Sequence, residues 1–167
     1  TALLGGPLET TYNKYLFDAM TNDMFVSFDP NYREDLWRDN EKQFIKKCMP
    51  FVEKSHLCKF SQEEALILTG TSDVHEACEV LHKVGTQVIT ITLGKEGTLV
   101  STNAIRKIVP SNPVKAIDTT GAGDAFMGCL LYQISHLDSY TMIEQDAELL
   151  FNMVKKANIA GAITTTN

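Results

Sequence analysis

Short apolar runs bounded by turn residues alternate along this chain with stretches whose apolar residues recur three and four positions apart. Residues 24–28, between Asn22-Asp23 and Asp29-Pro30-Asn31, have the length and the bounds of a buried strand. Over 34–50, Leu36, Trp37, Phe44, Ile45 and Cys48 sit at helical spacing. Pro50 is expected to end that helix, because proline brings no N–H and clashes with the preceding turn. Residues 56–60 read as a second strand. Ser61 to Glu64 open a helix that Gly70 closes, and Thr71-Ser72-Asp73 cap another over 72–84, ended by Gly85. Residues 87–93 give the strongest strand, β-branched at Val88, Ile89, Thr90, Ile91 and Thr92. Gly94 to Gly97 form a turn, 98–101 return antiparallel, and 105–109 add a further strand.

A loop then leads to Asp118-Thr119-Thr120-Gly121-Ala122-Gly123-Asp124 and a helix at about 122–136, with Phe126, Leu130, Ile134 and Leu137 on one face. Thr141-x-x-Glu144 reads as the capping box of a last helix through Ile143, Ala147, Leu150, Phe151, Val154 and Ala157. After it, residues 162–167 turn β-prone. Strands alternating with helices predict an α/β fold, a mainly parallel sheet with helices on both faces, in one domain over 1–167. No repeat, low-complexity tract or linker interrupts it.

Composition narrows the partners. A hydrophobic fraction of 44% with 22% charged residues is that of a soluble globular domain. The net charge of -6 argues against nucleic acid or an anionic membrane as partner. Cys48, Cys58, Cys78 and Cys129 form no CxxC pair and lie in apolar or helical stretches, so free thiols in the reducing cytoplasm are expected. No apolar run reaches the length of a membrane span. The chain opens on Thr1 without an initiator Met, and its last residues leave no finished element, so a piece of a longer protein is expected.

In such sheets ligands bind beyond the carboxyl ends of strands. Segments 29–33, 59–64 and 94–97 follow strands directly, and 118–124 precedes a helix. Small residues at 121–123 let a ligand approach the backbone where N–H groups and the helix dipole favour negative charge. A plain helix start accounts for Asp124, but not for two glycines in three residues, nor for the preceding Asp-Thr-Thr. The segment is neither a Walker A loop nor a GxGxxG fingerprint. The four histidines form no metal or triad constellation. Lys95 reads as a solvated turn lysine.

Asp118-Thr119-Thr120-Gly121-Ala122-Gly123-Asp124-Ala125-Phe126 closely resembles the C-terminal signature of the ribokinase-like (pfkB) carbohydrate kinases. The resemblance extends through Asp29-Pro30-Asn31-Tyr32-Arg33-x-x-Leu36-Trp37, Lys59-x-Ser61-x-Glu63-Glu64, Thr92-Leu93-Gly94-x-x-Gly97 and Ala157-Asn158-x-Ala160-Gly161-Ala162, in the family's order. It implies ATP-dependent phosphorylation of a sugar hydroxyl, with Asp124 as catalytic base and the amides of Gly121, Ala122 and Gly123 as an anion hole. It assigns Gly94, Gly97, Asn158, Asn31 and Arg33 to cofactor binding, Glu64 to Mg²⁺ through water, and Asp118 and Thr120 to a monovalent cation, K⁺. Phosphoryl transfer through a loose transition state relies on positioning and charge neutralisation, which such a kit provides.

Two matches have plain alternatives. Ser61-x-x-Glu64 is also a capping box, and for Ser61 the two readings are even. Asp29-Pro30-Asn31 is good turn chemistry by itself. Arg33, Leu36 and Trp37 are arranged as in fructokinases and 2-keto-3-deoxygluconate kinases, so fructose is the expected acceptor and that keto-sugar acid the alternative. A nucleoside acceptor, and a nucleotide-binding fragment without an acceptor site, are the competing expectations. Nothing matches the family's earlier sugar-recognition segment or its last Gly-containing loop, so the fold is expected to be incomplete at both ends. A homodimer is expected of the full-length protein.

Overall fold

A computed structural model describes residues 2–37 and 40–166. The chain divides into two compact units, one ending at Ile89 and one beginning at Thr90. The first opens with a 3₁₀ turn, Ala2–Leu4, and α1, Gly6–Thr21, which the sequence pattern did not announce. None of its residues is buried, and Leu8, Tyr12, Tyr15 and Phe17 are exposed, so no buried stripe marks it. β1, Ser27–Phe28, is shorter than the expected 24–28 strand, and α2 covers Glu34–Trp37.

α3 runs Glu41–Lys54, straight through Pro50. The expected stop at Pro50 is thus corrected. The proline removes one backbone bond from the helix, but Phe51 and Val52, on the far side of it, are buried and hold the next turn in the core. β2, Leu57–Ser61, pairs in parallel with β1, Ser27 opposite Leu57. α4, Gln62–Thr69, starts on a complete Ser61–Glu64 capping box and ends on Gly70 in the left-handed conformation. α5, Val74–Val84, is capped by Asp73 and closed by Gly85. Phe44, Val52, Leu57, Phe60 and Leu81 lie within the core of this unit.

β3, Val88–Thr92, passes from the first unit into the second. It neighbours β2 in the former and β4, Thr98–Ser101, in the latter. β4 returns into β5, Arg106–Val109, antiparallel, with Thr98 opposite Val109. The sheet is therefore mixed, and the α/β alternation read from the pattern is present.

α6, Ala122–Ile134, packs on α8, Ala147–Thr164, and buries Phe126, Leu130 and Ile134. Two readings near the end are corrected. Thr141 precedes a separate short helix, α7, Met142–Gln145, without a side-chain cap bond, and Asp146 caps α8 by accepting from Leu149 N–H at 2.9 Å. Residues 162–164, expected to leave the helix, stay in it. The Thr164 hydroxyl donates back to the Ala160 carbonyl at 3.0 Å, which satisfies its polar group inside a helix.

Candidate active site

The second unit holds a cavity of about 580 Å³ with a mostly apolar lining. The first two turns of α6 contribute Ala122, Gly123 and Phe126, and α8 contributes Asn158, Gly161 and Ala162. The β3–β4 turn adds Gly94, Lys95, Gly97 and Thr98, and the connection after β5 adds residues 111–114. Five residues expected at a site from sequence therefore meet here: Gly94, Gly97, Ala122, Gly123 and Asn158. Lys95, read as a solvated turn lysine, is exposed and lies at the rim.

Gly97 and Asn158 shape the cavity in ways the sequence did not reveal. At φ 112°, a Cβ on Gly97 would stand 2.1 Å from the Val109 carbonyl oxygen and 2.7 Å from Ser111 N, so only glycine lets these backbones meet. Asn158 is buried, and its amide is in use. Nδ2 donates to the carbonyls of Val109 and Pro110 at 3.0 and 3.3 Å, and Oδ1 accepts from the Thr98 hydroxyl at 2.6 Å.

The 118–124 segment enters α6 through Gly121, at φ 78°. Ala122 N–H donates to the Thr119 carbonyl at 3.2 Å, so this member of the expected anion hole is already engaged in the turn. Among the described residues, the N–H groups of Gly121, Gly123 and Asp124 make no hydrogen bond. Such first-turn donors at a helix start form a site for anions. Asp124 is exposed in that first turn, beside Gly123 but outside the cavity lining. The Asp118 carboxylate accepts from Thr120 N–H at 2.9 Å, and hydrogen bonds from Thr120 hold its pKa below the ordinary carboxylate value. Gly161 packs against this entrance: a Cβ there would lie 3.0 Å from the Ala122 carbonyl oxygen.

The remaining expected residues lie in the first unit. Asn31, at φ 54°, and Arg33 follow β1. Lys59 Nζ, on β2, lies 3.0 Å from Asp29 Oδ2. Burial pushes the Asp29 carboxyl up, against the lowering effect of Lys59. Glu64 is 5% exposed, and its two oxygens accept from Tyr32 N–H and Ser61 N–H, each at 2.7 Å. The carboxylate thus caps α4 and ties the 29–33 loop to it. The capping reading of Ser61 and Glu64 accounts for the bonds between these two residues, and the Tyr32 bond is additional. Among the described residues no three metal-ligating side chains cluster.

The segment that sequence reasoning missed is 111–116, passed over as a loop. Its signal was present in Pro110 and Pro113, which keep the chain out of both helix and ladder. His56 accepts from Val26 N–H and stacks on Phe25, a structural role as expected.

A family model described as pfkB family carbohydrate kinase matches residues 2–167. A probable fructokinase-4 of Arabidopsis thaliana is 34% identical over 99% of this chain and 50% of its own length. A fructokinase from Vibrio cholerae O395, solved with fructose, ADP and calcium ion, superposes with a TM-score of 0.90 at 35% identity, over 99% of this chain and 52% of that one. An aminoimidazole riboside kinase from Salmonella enterica, solved with aminoimidazole riboside and an ATP analog, gives 0.87 at 29% identity, over 99% and 54%. The chain spans about half the length of the relatives it matches. Among the described residues, no helix is long and apolar enough to cross a membrane.

Proposed function

This chain belongs to the pfkB family of carbohydrate kinases, and we propose that it forms the nucleotide-binding and catalytic portion of an ATP-dependent kinase acting on a sugar hydroxyl, fructose first. The carrying observation is the second unit's cavity: a mostly apolar slot that ends at the first turn of α6, beside the exposed Asp124 carboxylate. An apolar slot suits a nucleobase, and unengaged first-turn N–H groups suit phosphates. The fructokinases among its relatives favour fructose over the alternative keto-sugar acid.

The acceptor hydroxyl oxygen attacks the γ-phosphorus while its proton passes to the Asp124 carboxylate. The new O–P bond forms as the bond from γ-phosphorus to the β-phosphate oxygen breaks, and ADP leaves. The Gly121 and Gly123 amides receive charge on the transferring group, as donors placed where negative charge develops. Mg²⁺ would arrive on the nucleotide's phosphates, where it needs few protein ligands and neutralises charge. Glu64 keeps only the lone pairs left over from its two N–H bonds for a metal-bound water, so no step is routed through it. Asp118, held ionised, and Thr120 fit a monovalent cation, which would stabilise the turn into Gly121. The cytoplasm belongs to the proposal with four free thiols as support, and a homodimer is proposed for the full-length protein.

The test is Asp124→Asn in the full-length enzyme, in a coupled ADP-release assay with fructose, 2-keto-3-deoxygluconate, ribose and adenosine. Turnover should fall by roughly 10²–10⁴-fold, the usual contribution of a positioned general base, while nucleotide affinity stays close to wild type. Turnover within a few-fold of wild type would end the catalytic assignment, and preference for adenosine would end that of the acceptor.

A further inference from the structure

Residues 111–116 form an exposed strap along one side of the cavity. Among the described residues they make no hydrogen bond to the rest of the chain. The strap hangs from α8 at both ends. Asn158 Nδ2 holds its root at the Val109 and Pro110 carbonyls, and the Thr165 carbonyl accepts from Ile117 N–H at 2.7 Å and Asp118 N–H at 3.2 Å. Asn158 and Thr165 are seven positions apart, roughly 10 Å along a helix at 1.5 Å per residue. The chain from Pro110 to Ile117 can reach about 23 Å when extended. The strap therefore has slack, and the two anchors, not its own bonding, decide where it arches.

We propose that Asn158 is a positioning residue: its buried amide fixes the root of the 111–116 strap and so sets the cavity's width for the nucleotide, without reading the base. This rests on the nucleotide assignment made above, and it makes the cofactor-binding role expected of Asn158 an indirect one. The amide spends both kinds of hydrogen-bonding capacity inside the protein. Its Nδ2 serves two carbonyls of the strap's root, and its Oδ1 is held by the hydroxyl of Thr98, a residue with no exposed surface. Thr98 thereby fixes which way the amide faces. Gly97 supports the root from the opposite strand by close approach to Val109–Ser111. Removing the amide frees the root, and the wall formed by Pro113 and Val114 loses its place against the base.

The test measures two things on wild type, Asn158→Ala and Thr98→Val. The first is the affinity of the full-length protein for Mg·ATP and Mg·GTP by calorimetry. The second is hydrogen exchange of the nucleotide-free proteins. Asn158→Ala should weaken both nucleotides by roughly tenfold, as expected for loss of about 1.4 kcal/mol of binding. Because no base edge is read by Asn158, the ATP-to-GTP ratio should stay within about twofold of wild type. Exchange should quicken at the hydrogen-bonded amides on either side of the strap, in β5 at its root and at Ile117 and Asp118, and not in the interior of α6. Thr98→Val keeps the Nδ2 bonds and the side-chain volume, so it should show the same pattern at smaller size. A ratio shifted more than about fivefold would make Asn158 a base reader and overturn the proposal. Unchanged exchange at these flanking amides in Asn158→Ala would overturn it too. Wild type without affinity for either nucleotide would sink the nucleotide assignment. The exchange arm would still decide whether Asn158 holds the strap.

Discussion

Gly97→Ala isolates a backbone contact that no side chain makes. Glycine here has φ 112° and ψ −138°, and the added methyl would meet the Val109 carbonyl oxygen at 2.1 Å, Ser111 N at 2.7 Å and the Pro110 carbonyl carbon at 2.8 Å. All three are backbone atoms, so no flexible side chain can swing away. Holding alanine in a glycine-only conformation costs about 1–3 kcal/mol, and forcing β4 and the end of β5 apart adds about 1–3 kcal/mol of overpacking. Their sum, about 4 kcal/mol, is a large part of the roughly 5–15 kcal/mol that separates folded from unfolded states. Gly94 is the control: its φ is also positive, at 59°, but nothing lies within 4 Å of a Cβ there. Gly94→Ala should cost only the conformational part, about 1–2 kcal/mol.

Thermal unfolding followed by circular dichroism separates the two variants. At about 2–4 °C per kcal/mol for a chain of this size, Gly97→Ala should lower Tm by roughly 12 °C and Gly94→Ala by roughly 4 °C. Equal shifts in the two variants would refute the close approach of residue 97 to 109–111, and with it the account of how the cavity wall is rooted.

Two further outcomes follow from the packing. Gly161→Ala sets a methyl 3.0 Å from the Ala122 carbonyl oxygen, pushing the first turn of α6 by a few tenths of an ångström. On the proposed function, ATP affinity measured by calorimetry should fall several-fold while adenosine affinity holds, because the displaced N–H groups are assigned to the phosphates and not to the base. Cys48, Cys58 and Cys78 are buried and Cys129 is half-buried, and burial pushes the Cys48 and Cys58 thiols up to about 12. Since the thiolate is the reactive form, a disulfide reagent at pH 8 should titrate Cys129 first in the native chain and all four thiols in denaturant.

The sequence alone determined whatever depends on neighbours in the chain. Ser61 and Glu64 sit three apart and close a capping box; Gly70 and Gly85 end their helices; β-branched residues make 88–92 a strand. The 121–123 run shows as a glycine-rich helix start because small residues and an acidic first turn are all local.

Tertiary structure decided what depends on distant partners. Pro50 stays inside α3 because burial of Phe51 and Val52 outweighs one lost backbone bond. α8 starts from Asp146, not from the Thr141 box, since a short separate helix intervenes. Asn158 lines the cavity and is also an internal tie, which the sequence did not reveal, because its partners lie 48, 49 and 60 residues away and no pattern announces them. Local spacing fixes which groups a segment offers; only the packed chain fixes which of them are already spent on each other.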